Sequence, residues 1–196
     1  MKGFFYDWLG ANEGLFQVLQ AYHSEGVERL WGVLAYGYGW WMAPLVGAII
    51  SIHHLGTRHR ASARQLNVMS QIMAILILSF AFVWCVVFTI QTLTFSTWAR
   101  PWLLDGVVAS HGPFIWQEGF PASAPAIAMM VGYLFWPYVQ RRAKLALVVY
   151  VASGSVLTML SGVSWPADVL YGLLTGFAGV WLARTYYRFA VRCVAS

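Results

Sequence analysis

In a chain of 196 residues, 60% are hydrophobic and only 10% are charged, against about 25% charged in an ordinary soluble domain. There is too little polar side chain to face water on all sides, so a bilayer is the natural solvent, in keeping with a mean hydropathy of +0.63. The net charge of +5 does not point to nucleic acid, because the basic residues sit in short clusters between apolar runs, where membrane-flanking charge belongs.

The first 29 residues contain GFFYDWLGANEGLFQVLQAYHSEGVERL, less its last leucine. No cleavable signal peptide is expected there, since Asp7 and Glu13 fall where an apolar core should follow Lys2. Leu15, Leu19 and Tyr22 recur at helical spacing among charges, and Asn12 is placed to cap the start. The segment reads as an amphipathic helix lying on the membrane surface. The alternative is a sixth, poorly apolar crossing, against which stands the cost of its acids in lipid.

Five charge-poor runs follow, at 30–52, 66–95, 122–138, 145–163 and 169–187. A crossing helix needs roughly 20 apolar residues. The expected fold class is therefore an all-α membrane protein, a bundle of five transmembrane helices over 30–187 with an interfacial helix before it and a short tail, 188–196, after it. Neither a linker nor an internal repeat is visible, so the chain is one domain, 1–196. Arg184 is close enough to the end of the fifth run to snorkel. Cys85 is expected as a small buried side chain and Cys193 as a tail thiol, with no disulfide between them.

With five crossings, Arg58, Arg60 and Arg64, then Arg141, Arg142 and Lys144, then Arg184, Arg188 and Arg192 share one side. The acids Asp7, Glu13, Glu25, Glu28, Asp105, Glu118 and Asp168 fall on the other. The positive-inside rule makes the basic side cytoplasmic. An outward-facing site and a compact chain suit a bacterial inner membrane, with the C-terminus in the cytoplasm and the acidic face in the periplasm. Trp40, Trp41, Trp98, Trp102, Trp116, Trp136 and Trp165 fall near run ends or in the outward loop, as an interfacial belt would. Some of these rings are alternatively the lining of a lipid groove. Gly172 and Gly176 form a small-xxx-small pair, for packing on a neighbouring helix or on another subunit.

Three stretches converge at the outward face: WARPW at 98–102, GFPASAPA at 119–126 and SGVSWPADVLYG at 161–172. In their order, spacing and sidedness they resemble the type 2 phosphatidic acid phosphatase (PAP2) superfamily, membrane enzymes that dephosphorylate lipid phosphates and isoprenyl diphosphates. The family pattern is K-x6-R-P, then P-S-G-H, then S-R-x5-H-x3-D. Arg100 and Pro101 match the end of the first motif, Phe120 and Pro121 the opening of the second, and Asp168 the last acid of the third.

The departures fall on the chemistry. Leu93 stands at the lysine, and Ala122, Ser123 and Ala124 stand where Ser-Gly-His should follow the proline. Leu157 and Thr158 replace Ser-Arg, and Ser164 replaces the second histidine. The resemblance implies that this second histidine is the nucleophile, that the acid orients it, and that the first histidine protonates the leaving oxygen. Alanine at 124 has no proton to give, and serine at 164 has no evident base. The degenerate motif positions are thus Arg100, Ser123, Ser164 and Asp168, with no confident catalytic residue. Asp168 is expected either to cap the start of the fifth helix or to pair with Arg100.

His111, in GVVASHGPF, is a surrogate base for Ser164 or else a solvated loop residue. His53, His54 and His59 have neither acid nor cysteine beside them, so headgroup contact near Arg58 and Arg60 is expected rather than a metal. No cofactor is expected. The favoured reading is a catalytically degenerate PAP2-like membrane protein whose partners are membrane lipids or other membrane subunits. The rival is an active lipid-phosphate or isoprenyl-diphosphate phosphatase on a rearranged site.

Overall fold

The structure is a computed structural model, described here for residues 10–34, 38, 42, 45–49, 63–94 and 120–195. Six helices are described from end to end: α1 (Ala11–Gln20), α2 (Glu25–Leu34), α3 (Ala63–Thr94), α4 (Ser123–Phe135), α5 (Arg141–Leu160) and α6 (Pro166–Ala195). There is no strand among the described residues.

Three helices, α3, α5 and α6, are long and apolar enough to cross a membrane. The 32 residues of α3 reach about 48 Å at 1.5 Å per residue, more than a hydrocarbon core of about 30 Å requires. The expected third crossing is shorter than its sequence run suggests, because α4 has 13 residues and reaches only about 20 Å. Pro121 precedes it, after a cis bond from Phe120, and the chain turns at Trp136–Tyr138. Ten of those 13 residues are buried, so α4 is the centre of the bundle, packed on by α3, α5 and α6. The expected first crossing, 30–52, is described only in pieces, at 30–34, 38, 42 and 45–49, and 45–49 is helical. Its first residues belong to α2, which begins at Glu25 and runs past position 30. The fifth run begins three residues early, at Pro166, and its helix continues through the expected tail to Ala195.

Small residues set how closely the helices approach. A Cβ on Gly172 would run into the backbone carbonyl oxygen of Ala122, and one on Gly176 into that of Ala126. The pair therefore packs α6 backbone-to-backbone on α4 within one bundle. Gly179 does the same against the Val83 side chain of α3. Lipid tails are as apolar as leucine, so such close packing, rather than apolar burial, holds membrane helices together. Ile75, Val83 and Val87 from α3, Ile127, Met130 and Leu134 from α4, and Val180 from α6 fill the resulting core.

The N-terminal segment is two short helices instead of one, broken at residues 21–24. Neither has membrane length at 10 residues each. Asn12 does not cap α1, whose N-cap is Gly10 at φ 90°. Asn12 and Phe16 are the residues buried against the bundle, whereas Leu15 and Tyr22 are exposed. Cys85 is exposed on α3. Trp165 belongs to the core rather than to a belt, its ring 4.7 Å from that of Phe16 and tilted against it. Arg184 turns inward: its Nη2 donates to the carbonyls of Tyr133 and Leu134, each at 2.9 Å, satisfying the C-terminal end of α4.

Candidate functional site

The turn between α5 and α6 is built from complementary helix ends. Gly162, at φ 73°, supplies the left-handed residue that ends α5. The Gly162 N–H donates to Met159 O at 3.1 Å and the Val163 N–H to Thr158 O at 3.2 Å, the two bonds of a Schellman motif. Pro166 opens α6, where its missing N–H costs nothing. Two residues on, Asp168 Oδ2 accepts the backbone N–H of Trp165 at 3.1 Å, the acid half of a capping box. Trp165 has no side-chain acceptor for the first-turn amides. Asn12 supplies it from α1, its Oδ1 accepting the Ala167 N–H at 2.9 Å.

The same turn is gripped from both flanks. The Ala122 N–H donates to the Asp168 carbonyl at 3.0 Å, which fixes the start of α4 against the start of α6. Gln20 Nε2 donates to Met159 O at 3.0 Å, and His23 Nδ1 lies 2.9 Å from Leu160 O. Gln91 Nε2 near the end of α3 donates to Pro121 O at 3.0 Å. The ends of α3 and α5, the starts of α4 and α6, and helix α1 therefore meet at one end of the bundle. Arg141, Arg142 and Lys144 at the start of α5 and Arg188 and Arg192 near the end of α6 lie at the other.

Ser123, Ser164 and Asp168 are brought together at this end and all are buried. Ser164 is 0% exposed, and its Oγ has no hydrogen-bond partner. Ala124 is likewise buried, with no polar atom beyond its backbone. Thr158, at the motif's arginine, spends its hydroxyl on the Gly154 carbonyl one turn back. Leu93, at the motif's lysine, is 71% exposed on α3. Asp168 holds the helix start, the capping role expected of it; the alternative partner, Arg100, lies outside the described residues. So do His111, the histidines 53, 54 and 59, and most of the loop 96–121. Among the described residues, no group of three His, Cys, Asp or Glu side chains is placed to hold a metal.

Sequence reasoning missed Asn12, Gln20 and His23 as partners of the α5–α6 turn. The available signal was polarity at i and i+8, which puts Asn12 and Gln20 on neighbouring parts of one helical face; His23 lies in the break after α1 and had no such signal.

No family model matches the chain, and no curated protein matches it. A crystal structure of Aquifex aeolicus LpxE is similar, with a TM-score of 0.67 at 20% identity over 90% of this chain and 96% of that one. At that identity the likeness speaks to the fold alone: an all-helical bundle like that of LpxE.

Proposed function

We propose that this chain is a catalytically degenerate PAP2-like integral membrane protein that serves as a lipid-binding or accessory subunit of a membrane assembly. One observation carries the reading. At the position of the family's nucleophilic histidine stands Ser164, 0% exposed with an unpartnered Oγ, beside an acid whose Oδ2 is engaged by the Trp165 backbone. A nucleophile needs an activating base and access to substrate. Ser164 has no described base, and it is fully buried in a turn whose neighbours Trp165 and Ala167 are packed on by Phe16 and Asn12 of α1.

The five-crossing topology belongs to the same reading, with α3, α5 and α6 as three of the crossings, α4 as a short central one and the first within 30–52. So does the orientation, with the Asp168 end in the periplasm and the basic end in the cytoplasm of a bacterial inner membrane. The test is turnover. Purified protein is expected to release no phosphate from phosphatidates or isoprenyl diphosphates. Release that vanadate inhibits and Ser164→Ala abolishes overturns the proposal in favour of an active phosphatase. A stoichiometric membrane protein on purification selects the accessory role over solitary lipid binding.

A further inference from the structure

Helices α5 and α6 both rest on α4 but touch each other little beyond their shared turn, leaving a groove of about 580 Å³ floored by α4. Such a volume falls within the roughly 300–1,000 Å³ of small-molecule sites. Its walls include Gly132, Trp136, Val148, Ala152, Leu173 and Phe177. Gly132 lets α5 approach the α4 floor closely, since a Cβ there would meet Val151 Cγ2 at 2.8 Å. Two lining residues, Tyr133 and Ser155, carry hydroxyls; that of Ser155 donates to Val151 O at 2.9 Å, and the groove surface is almost wholly apolar. A polar ligand would lose its hydration there without compensation. From Leu147 to Val156 along α5 the groove runs about 14 Å at 1.5 Å per residue.

The mouth has the opposite character. Trp136 lines the groove, and Lys144 Nζ lies 5.2 Å from the centre of its ring. Arg141 and Arg142, within one turn of Lys144, are exposed. The single ion pair among the described residues, Arg29 with Glu25, is at the other end of the bundle. Gln140 gives α5 no side-chain cap, so the positive end of the helix adds to the three side-chain charges.

The geometry points to a binding site for an anionic diacyl phospholipid. One acyl chain lies along the groove between α4, α5 and α6, and the phosphate is held by Lys144 with Arg141 and Arg142. This deepens the lipid-binding half of the function proposed above and rests on it, but not on the loss of catalysis. An acyl chain moving from bilayer to groove gains little from hydrophobicity. Selectivity therefore comes from the headgroup, and retention from packing in the groove.

Native mass spectrometry of the purified full chain in detergent, supplied with phosphatidylglycerol and phosphatidylcholine, tests it. The expected result is one retained phosphatidylglycerol per chain, favoured on the order of tenfold, the effect of a single charge-assisted hydrogen bond. Arg141→Gln combined with Lys144→Gln brings the two lipids towards parity. Ala152→Trp fills the groove and lowers retention of both. If that variant does not fold, Val148→Trp at the exposed rim makes the same test. Equal retention of both lipids by the wild type, or a lipid distribution unchanged in the groove variants, overturns the proposal. The readout is binding, so loss of retention without phosphate release leaves the degenerate bundle standing as an accessory subunit. Retention together with phosphate release overturns the other half alone.

Discussion

Two buried side chains of one turn, Ser164 and Asp168, differ in whether their polar atoms are partnered, and they predict opposite mutational signs. A buried hydroxyl without a partner costs about 1–3 kcal/mol relative to a satisfied one, and Ser164 Oγ is such a group. Ser164→Ala is therefore expected to be neutral or to stabilise the protein by up to about 1 kcal/mol, after allowance for the small void left by the oxygen. Asp168 is the reverse case, since its Oδ2 satisfies the Trp165 N–H at 3.1 Å. Asp168→Ala leaves that buried amide without its acceptor and is expected to cost about 1–3 kcal/mol, with Asp168→Asn, which keeps an oxygen, costing less. Thermal unfolding of the purified variants in one detergent checks both. Destabilisation by Ser164→Ala would show that the hydroxyl has a partner in the membrane-embedded protein. The spacing of Ser164 and Asp168 was readable from SGVSWPADVLYG, as was the capping role of the acid. The supply of a second cap by Asn12, 155 residues away, was not, because no local pattern encodes which distant helix will lie across a turn.

At the scale of elements, hydropathy located the long helices well and the short one badly. An apolar run reports that a segment avoids water. It does not distinguish a lipid-facing helix from one surrounded by protein, which is how α4, with ten buried residues of 13, came to resemble a full crossing. Near α1 the apolar spacing does not mark the face that packs on the bundle: Leu15 and Tyr22 are exposed, and Asn12 and Phe16 are buried. The glycine pair was legible, because small residues one turn apart have few other uses in a membrane helix. Its energetic weight can be measured. Gly172→Ala and Gly176→Ala each place a methyl group against an α4 carbonyl oxygen that belongs to rigid backbone. Each is expected to cost about 1–3 kcal/mol by overpacking. Gly14→Ala on α1, where an added Cβ meets nothing within 4 Å, is expected instead to stabilise by up to about 1 kcal/mol through helix propensity. The same unfolding assay compares all three. A tolerated Gly176→Ala would mean that α4 and α6 stand further apart than their glycines suggest.

For the whole molecule the decisive asymmetry is charge. The Schellman turn ending α5 and the start of α6 lie at the end that carries Glu13, Glu25, Glu28 and Asp168. The antiparallel pair then returns Arg141, Arg142 and Lys144 to the end shared with Arg188 and Arg192. Both helices point the same way in the sequence argument and in the structure, so the segregation of charge does not depend on the residues outside the described set. What remains to be measured is which compartment each end faces. Cys193, exposed near the end of α6, reports on the basic end. Cys85 is exposed on α3 within its apolar length, where the lipid around a membrane-spanning helix keeps an aqueous maleimide away. If the basic end is cytoplasmic, as lysine and arginine bias dictates, a membrane-impermeant maleimide added to intact cells leaves the wild type unlabelled and labels it once the membrane is opened. Glu13→Cys, placed on the exposed side of α1 in a background with Cys85→Ser and Cys193→Ser, is labelled in intact cells. The reverse pattern inverts the protein and puts the Asp168 end in the cytoplasm. Labelling of both positions in intact cells would place the two ends of the α5–α6 pair on one side, which a membrane-spanning helix of 30 residues, about 45 Å long, does not allow.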